Sequence, residues 1–336
     1  MLAEDFKQRP WDGAEVVEIF KAQLNPTATA QTTSKEPLAE QPEAVPNPVE
    51  AVEPGPPASL PPARPDPREE GRRKTQGYVW EENGRRFASL GAGVTMEFVR
   101  IPPGKFLMGT DPVKDRDVDG DELPQHSVYL SEYWIGRLPV TNSQYLRFVQ
   151  SGHHASPDHW RMGEIPAGRE DHPVINVNWM DANAFCTWLA GEMKKQGLEM
   201  RSRLPSEAEW EKAARGTEGN IYPWGDLPPT PALCNYKESK LGETTTVGSN
   251  SPQGDSPYGC ADMVGNVCEW AADWYNEDYF KTSPEFNPPG PLSGEKRVRC
   301  GGSWFNDGRG MRVANRMGNA PDSKSKDIGF RCAISV

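Results

Sequence analysis

No stretch of this sequence is apolar over the roughly 20 residues that a membrane-spanning helix needs, and only 36% of its residues are hydrophobic. A membrane-embedded role is thereby set aside. The N-terminus, MLAEDFKQRPWDG, has no basic segment followed by an apolar one. Nothing there reads as a secretory signal, and a cytoplasmic chain is expected. The six cysteines include no C-x-x-C pair, which argues against a structural zinc site. Free buried thiols are the expected state in a chain that is not exported. The five histidines form no H-x-x-x-H pattern. Basic residues are too few to balance the acids, 37 against 48, for a net charge of −11. An acidic surface of this kind disfavours nucleic acid and anionic membranes as partners.

What is abundant is glycine (32), proline (33) and tryptophan (11). This composition predicts much irregular backbone, with large aromatic side chains supplying buried area that regular elements do not. The 336 residues suffice for one large domain and a tail. Residues 1–24 read as a short helical peptide, with Val16, Val17, Ile19, Phe20 and Leu24 on one side of a helix over Ala14 to Leu24. So short a helix is marginal alone, which makes it a candidate docking peptide for a protein partner. Residues 25–76 contain twelve prolines between Pro26 and Pro67 and read as a disordered, semi-extended linker.

Residues 77–336 read as one α+β domain of short strands. Tyr78 to Trp80 and Arg85 to Phe87 flank Asn83-Gly84, a type I′ hairpin signal. Strands are expected over Met96 to Ile101 and Lys105 to Met108, split by Pro102-Pro103-Gly104, and a single half-buried strand over Ser127 to Ile135. Capping boxes predict helices beginning at Thr141 (with Gln144) and at Ser206 (with Glu209, stopping at Gly216). A third helix is expected from Asp181 to Gly197, with Phe185, Trp188, Leu189 and Met193 turned inward.

Several motifs bear on chemistry. Asp115 to Asp121 has the D-x-D-x-D-G look of a calcium loop, but position twelve is His126 where a bidentate Glu is needed. A solvated acidic loop is the expectation. Gly91-Ala92-Gly93 lacks the third glycine of a nucleotide fingerprint. Asp262-Met263-Val264-Gly265-Asn266-Val267-Cys268-Glu269-Trp270 gathers two carboxylates, an amide and a glycine, enough oxygen for a hard cation. From Lys296 to Arg331, nine Lys or Arg face three Asp. They read as arginines holding loop carbonyls, or as an anion-facing patch.

The segments Arg100 to Gly109 (RIPPGKFLMG), Pro139 to Asn142, Val174 to Trp179, Arg203 to Glu211 (RLPSEAEWE), Gly265 to Trp270, Gly301 to Trp304 (GGSW) and Ile328 to Arg331 (IGFR) resemble, in this order, the formylglycine-generating enzyme (sulfatase-modifying factor) family. The resemblance covers residues from about 96 to 335 and implies a C-type-lectin-like fold with two main helices. Enzymes of that family oxidise a sulfatase cysteine to formylglycine, using copper on two cysteines that follow G-G-S-[WY]. Soft Cu(I) favours such thiolates. The matching positions here are Asn306 and Met311, so copper is not expected. Iron is not expected either: the family's iron-dependent members draw histidines from a helical domain, and the first 75 residues here contain none. The resemblance implies calcium at Asp262, Gly265, Val267 and Glu269, and a second set at Asn235, Tyr236, Ser239 and Leu241, where Ser239 replaces an Asp. It also implies that Cys186 and Cys332, bridged in secreted relatives, lie close together.

The functional expectation is a non-catalytic module that binds a protein or small-molecule ligand on its C-terminal loop surface. The ligand-facing residues would be Phe305, Asn306, Asp307, Arg309, Met311, Arg316, Met317 and Asn319, with Phe305 to Met311 and Met317 to Ala320 on one exposed face. One branch of the family, the variable proteins of diversity-generating retroelements, ends in the same G-G-S-W, R-x-A-N-R and I-G-F-R arrangement. The alternative is a metal-dependent oxidoreductase of the same family, which would need His126, His153, His154, His159 or His172 to converge.

Overall fold

A computed structural model describes residues 79–336, apart from 153, 196, 197 and 336. The expected N-terminal helix and proline-rich linker, with Tyr78 and the helix stop at Gly197, lie outside the described residues.

The chain opens with a meander. β1 (Val79–Glu82) and β2 (Arg85–Gly91) turn at Asn83-Gly84, both with positive φ, as a type I′ turn requires. β2 pairs with β3 (Val94–Ile101). β4 (Gly104–Met108) then pairs only with β5 (His126–Leu130), in a two-stranded ribbon. The single strand expected over Ser127 to Ile135 is therefore two. Ser131 and Glu132 are both exposed, and β6 (Tyr133–Gly136) crosses to pair with β3. β6 is buried on both faces, so period-two alternation stops where the strand changes sheets.

Three α-helices are present among the described residues, one more than the two main helices implied by resemblance. α1 (Asn142–Gln150) and α3 (Glu207–Arg215) carry complete capping boxes, Thr141 with Gln144 and Ser206 with Glu209. α2 (Trp179–Lys195) starts two residues before the expected Asp181. The reason is that Asp181 sits inside the first turn. Its Oδ2 accepts from Asn178 N at 3.0 Å while Asn178 Oδ1 accepts from Asp181 N at 2.9 Å, so Asn178 is the cap.

The C-terminal half stitches the molecule together. β8 (Cys268–Trp274), β9 (Arg297–Cys300), β10 (Arg316–Asn319) and the two-residue β11 (Ile328–Gly329) form a four-stranded sheet in the order β10-β9-β8-β11. The last strand, β12 (Ala333–Ser335), returns to the first sheet and lies between β6 and β7 (Arg201–Arg203), completing the order β1-β2-β3-β6-β12-β7. α1 and α2 pack on this sheet through Tyr145, Phe148, Phe185, Leu189 and Met193. α3 packs through Ala208, Trp210, Ala213 and Ala214 against the ribbon and the second sheet. Two indoles find partners across the layers, Trp270 Nε1 on Val177 O (3.1 Å) and Trp179 Nε1 on Ala271 O (2.9 Å), whereas the indole N–H groups of Trp80, Trp160 and Trp188 are buried with no partner among the described residues.

All six cysteines are buried and unpaired. The Cys186 and Cys332 sulfurs lie 3.5 Å apart, as the resemblance implied. Mild oxidation is expected to join them within one chain and to raise the urea midpoint, by about 2–4 kcal/mol of added stability. Oxidised protein in which peptide mapping finds both thiols free would contradict this.

Candidate functional site

The C-terminal strands are pinned by three arginines with side chains at most 2% exposed. Arg331 precedes β12 and binds Glu269 of β8 with Nε (2.6 Å) and Nη2 (2.7 Å), and its remaining donors reach the carbonyls of Gly136, Arg137, Ala261 and Asp262. Arg316 opens β10 and binds Glu207 of α3 at 2.6 and 2.8 Å. Burial alone would lower Arg316, but Glu207 outweighs it and holds the guanidinium above its ordinary value. Arg312 binds Glu122 at 2.6 Å, and reaches Asp115 and Asp119. The loop 115–121 is thus not simply solvated: arginines hold it against the C-terminal segment. The basic run reads as anchors bonded to carbonyls and to distant carboxylates, and its excess of charge is largely neutralised inside the fold.

On this frame the loop after Trp304 is displayed. Phe305 is 62% exposed, and Asp307 and Arg309 are exposed. Asp307 caps the 3-10 turn Gly308–Met311 through Arg309 N. Arg309 reaches Asp119 Oδ1 at 3.4 Å, so the displayed loop and the acidic loop share one face. Met317 and Asn319 are half-buried in β10. Two expected ligand-facing residues are not on the surface. Met311 is fully buried, and Arg316 is 4% exposed and committed to Glu207. Met311 fills the space over Gly302, whose φ is +60°; a Cβ there would stand 2.3 Å from the Met311 methyl. The exposed residues are therefore Phe305, Asp307, Arg309 and Ala320, while Asn306, Gly308 and Met317 to Asn319 are half-buried.

The positions matching the copper cysteines do not fit that metal. Asn306 Oδ1 accepts from Ser303 N (3.0 Å) and Ser303 Oγ (2.8 Å), and stands 3.7 Å from Cys268 Sγ. It is a hydrogen-bonding plug that fixes the loop. Met311 offers a thioether enclosed in the core. Cys268, which the motif reading passed over, is the one thiol beside Asn306, and burial pushes it up to about 12. A thiolate is therefore not available at neutral pH. Its place within G-N-V-C-E-W was the only sequence sign of it.

The two calcium sets differ. Asp262 and Glu269 do come together, but Glu269 already answers Arg331 and also accepts Trp210 Nε1 at 2.8 Å. Asp262 accepts Gly248 N through Oδ2 and Arg331 through its carbonyl. With Gly265 and Val267 in the connecting turn, this cluster as arranged serves a guanidinium and does not fit a calcium ion. Asn235, Tyr236, Ser239 and Leu241 gather around the 3-10 turn Lys237–Ser239. Ser239 Oγ is engaged with Tyr236 N and Cys234 O, and Leu241 is exposed. Asn235 Oδ1, however, is buried with no partner among the described residues, the kind of unsatisfied acceptor a cation would complete. Among the described histidines, His126 lies on Phe280 and His154 on Asp181, while His172, beside Thr244, shares one cavity wall with His159. No cluster of three metal-ligating His, Cys, Asp or Glu side chains occurs among the described residues. No helix among them is long and apolar enough to cross a membrane.

A mixed, sheet-dominated α+β fold ending in an arginine-pinned G-G-S-W loop defines the sulfatase-modifying class of scaffold. Residues 88–336 match the sulfatase-modifying factor enzyme 1-like domain, and the chain belongs to that family. It is 33% identical to the formylglycine-generating enzyme of Streptomyces coelicolor, over 86% of this chain and 95% of that protein. It is 31% identical to the bovine inactive C-alpha-formylglycine-generating enzyme 2, over 74% of this chain and 91% of that one. Among solved structures it resembles Treponema denticola variable protein 1 (TM-score 0.61, 25% identity, 75% of this chain and 99% of that chain). PvdO from Pseudomonas aeruginosa is similar too (TM-score 0.64, 27% identity, 76% and 100%).

Asp273 sits behind Glu207, whose N donates to its Oδ2 at 2.8 Å. Burial, then repulsion from Glu207, pushes Asp273 up to about 7. A raised carboxylate favours the fold most below its unfolded value and loses that contribution as pH rises through the folded value. Stability is therefore expected to fall between about pH 4 and 7 through this group, and Asp273→Asn to flatten that fall. Urea titrations at several pH values check it; parallel curves for both proteins would contradict it.

Proposed function

We propose that this protein is a non-catalytic binding module on a formylglycine-generating-enzyme scaffold, presenting Phe305, Asp307 and Arg309 to a protein or small-molecule ligand. The observation that carries the reading is the fate of Asn306 and Met311. One is spent on loop hydrogen bonds and the other on core packing, while an acid and a base between them, Asp307 and Arg309, and the aromatic Phe305 just before them are exposed. Binding can be built on such a loop without new chemistry, because the frame holds the backbone and the side chains alone set specificity. The alternative, a metal-dependent oxidoreductase, draws support from the similarity to formylglycine-generating enzymes. It would require a ligand set other than the two thiolates.

Incubation with Cu(I), oxygen and a cysteine-containing sulfatase-type peptide is expected to leave the cysteine unconverted, as read by mass spectrometry. Formation of the aldehyde would sink the binding-module reading.

Calcium is proposed at the Asn235 turn. Saturating calcium should then raise Tm by about 2–4 °C over a chelator-treated sample, and Asn235→Ala should remove the difference. Equal Tm values with calcium and with chelator would refute this site.

A further inference from the structure

A recess adjoins the Phe305–Arg309 loop through Trp304, whose ring centre lies 5.7 Å from that of Phe305. It is a cavity of about 260 Å³ beside Trp304, walled on its apolar side by Pro173, Ile175 and the indole. We propose that this cavity binds a small planar carboxylate, with the Lys326 ammonium as its recognition group and the Trp304 indole as its wall.

Lys326 stands 5.0 Å from the Trp304 ring centre. Its backbone carbonyl accepts the indole N–H at 3.3 Å. Its ammonium has no carboxylate partner among the described residues, unlike Arg169 on the same cavity, which is bound to Glu243 at 2.6 Å. The two imidazoles on the wall, His159 and His172, are both lowered by burial, and His172 further by Arg169. At neutral pH the cavity therefore carries one uncommitted positive charge.

His172 Nδ1 lies 2.9 Å from Thr244 Oγ1 and 3.3 Å from Arg169 Nη1, so its ring is spent on the cavity's own wall. One free cation beside an aromatic wall suits a carboxylate on a flat body. Asn142 Oδ1 and His159 Nδ1 on the same wall are buried with no partner among the described residues.

Benzoate, benzamide and benzylamine are the probes, titrated into the full chain by calorimetry or ligand-observed NMR. Benzoate is expected to bind at least ~10-fold more tightly than the uncharged benzamide, with benzylamine weakest. Lys326→Ala, at an exposed position, should erase the preference of benzoate over benzamide. Lys105→Ala, at an exposed position of β4, should leave it unchanged. The proposal is overturned if benzoate does not bind at about 10 mM, if acid and amide bind equally, if Lys326→Ala keeps the preference, or if Lys105→Ala removes it. Because copper-dependent peptide oxidation does not enter these readouts, failure here and failure of the binding-module reading are separate outcomes.

Discussion

The ion pair between Arg331 and Glu269 is the contact on which the C-terminal half depends. Arg331 enters the six-stranded sheet through β12, and Glu269 belongs to the four-stranded sheet through β8. Parallel pairing of Ile328 with Cys268 and of Gly329 with Glu269 sets the register that brings the two side chains together. Both groups are essentially without solvent access, and such burial costs several kcal/mol per ion unless every donor and acceptor is answered. Here they are answered, by two carboxylate oxygens and four carbonyls from loops on either side. The pair is weak evidence for stability as such. Its role is specificity, since any other register would bury a guanidinium among carbonyls with no counter-charge.

The Arg316–Glu207 and Arg312–Glu122 pairs repeat the device closer to the loop. Together they explain how a segment with little regular structure holds one backbone path. With the path fixed by buried charge, the residues between the anchors are released from packing duties, and Phe305, Asp307 and Arg309 take that freedom. Asn306 does not, because its amide closes the turn at Ser303. Asn306 and Met311 are thus part of the scaffold, while Phe305, Asp307 and Arg309 stay exposed.

Much of this was legible in the sequence where the signal is local. The caps at Thr141 and Ser206, the Asn83-Gly84 hairpin and the closeness of Cys186 to Cys332 were found from spacing or from resemblance. What could not be read was partnership at long range. The arginines of the basic run were visible, but Glu122, Glu207 and Glu269 lie 62 to 190 residues away from them, and no periodicity links such pairs. The break at Ser131-Glu132 escaped because alternation describes which face is wet and says nothing about which sheet a strand joins. Met311 lies between the G-G-S-W and R-x-A-N-R motifs, where the resemblance implies displayed side chains, whereas in the fold its methyl occupies the space that Gly302, having no Cβ, leaves open.

The most direct measurement is a saturation-mutagenesis scan of residues 303–320 read by protease resistance. It should show full tolerance at 305 and 309, a loss of about 1 kcal/mol at the capping Asp307, and losses of more than about 2 kcal/mol at Ser303, Met311, Arg312 and Arg316. Equal sensitivity along the whole segment would contradict the account, because it would mean that the loop belongs to the frame and is not displayed upon it.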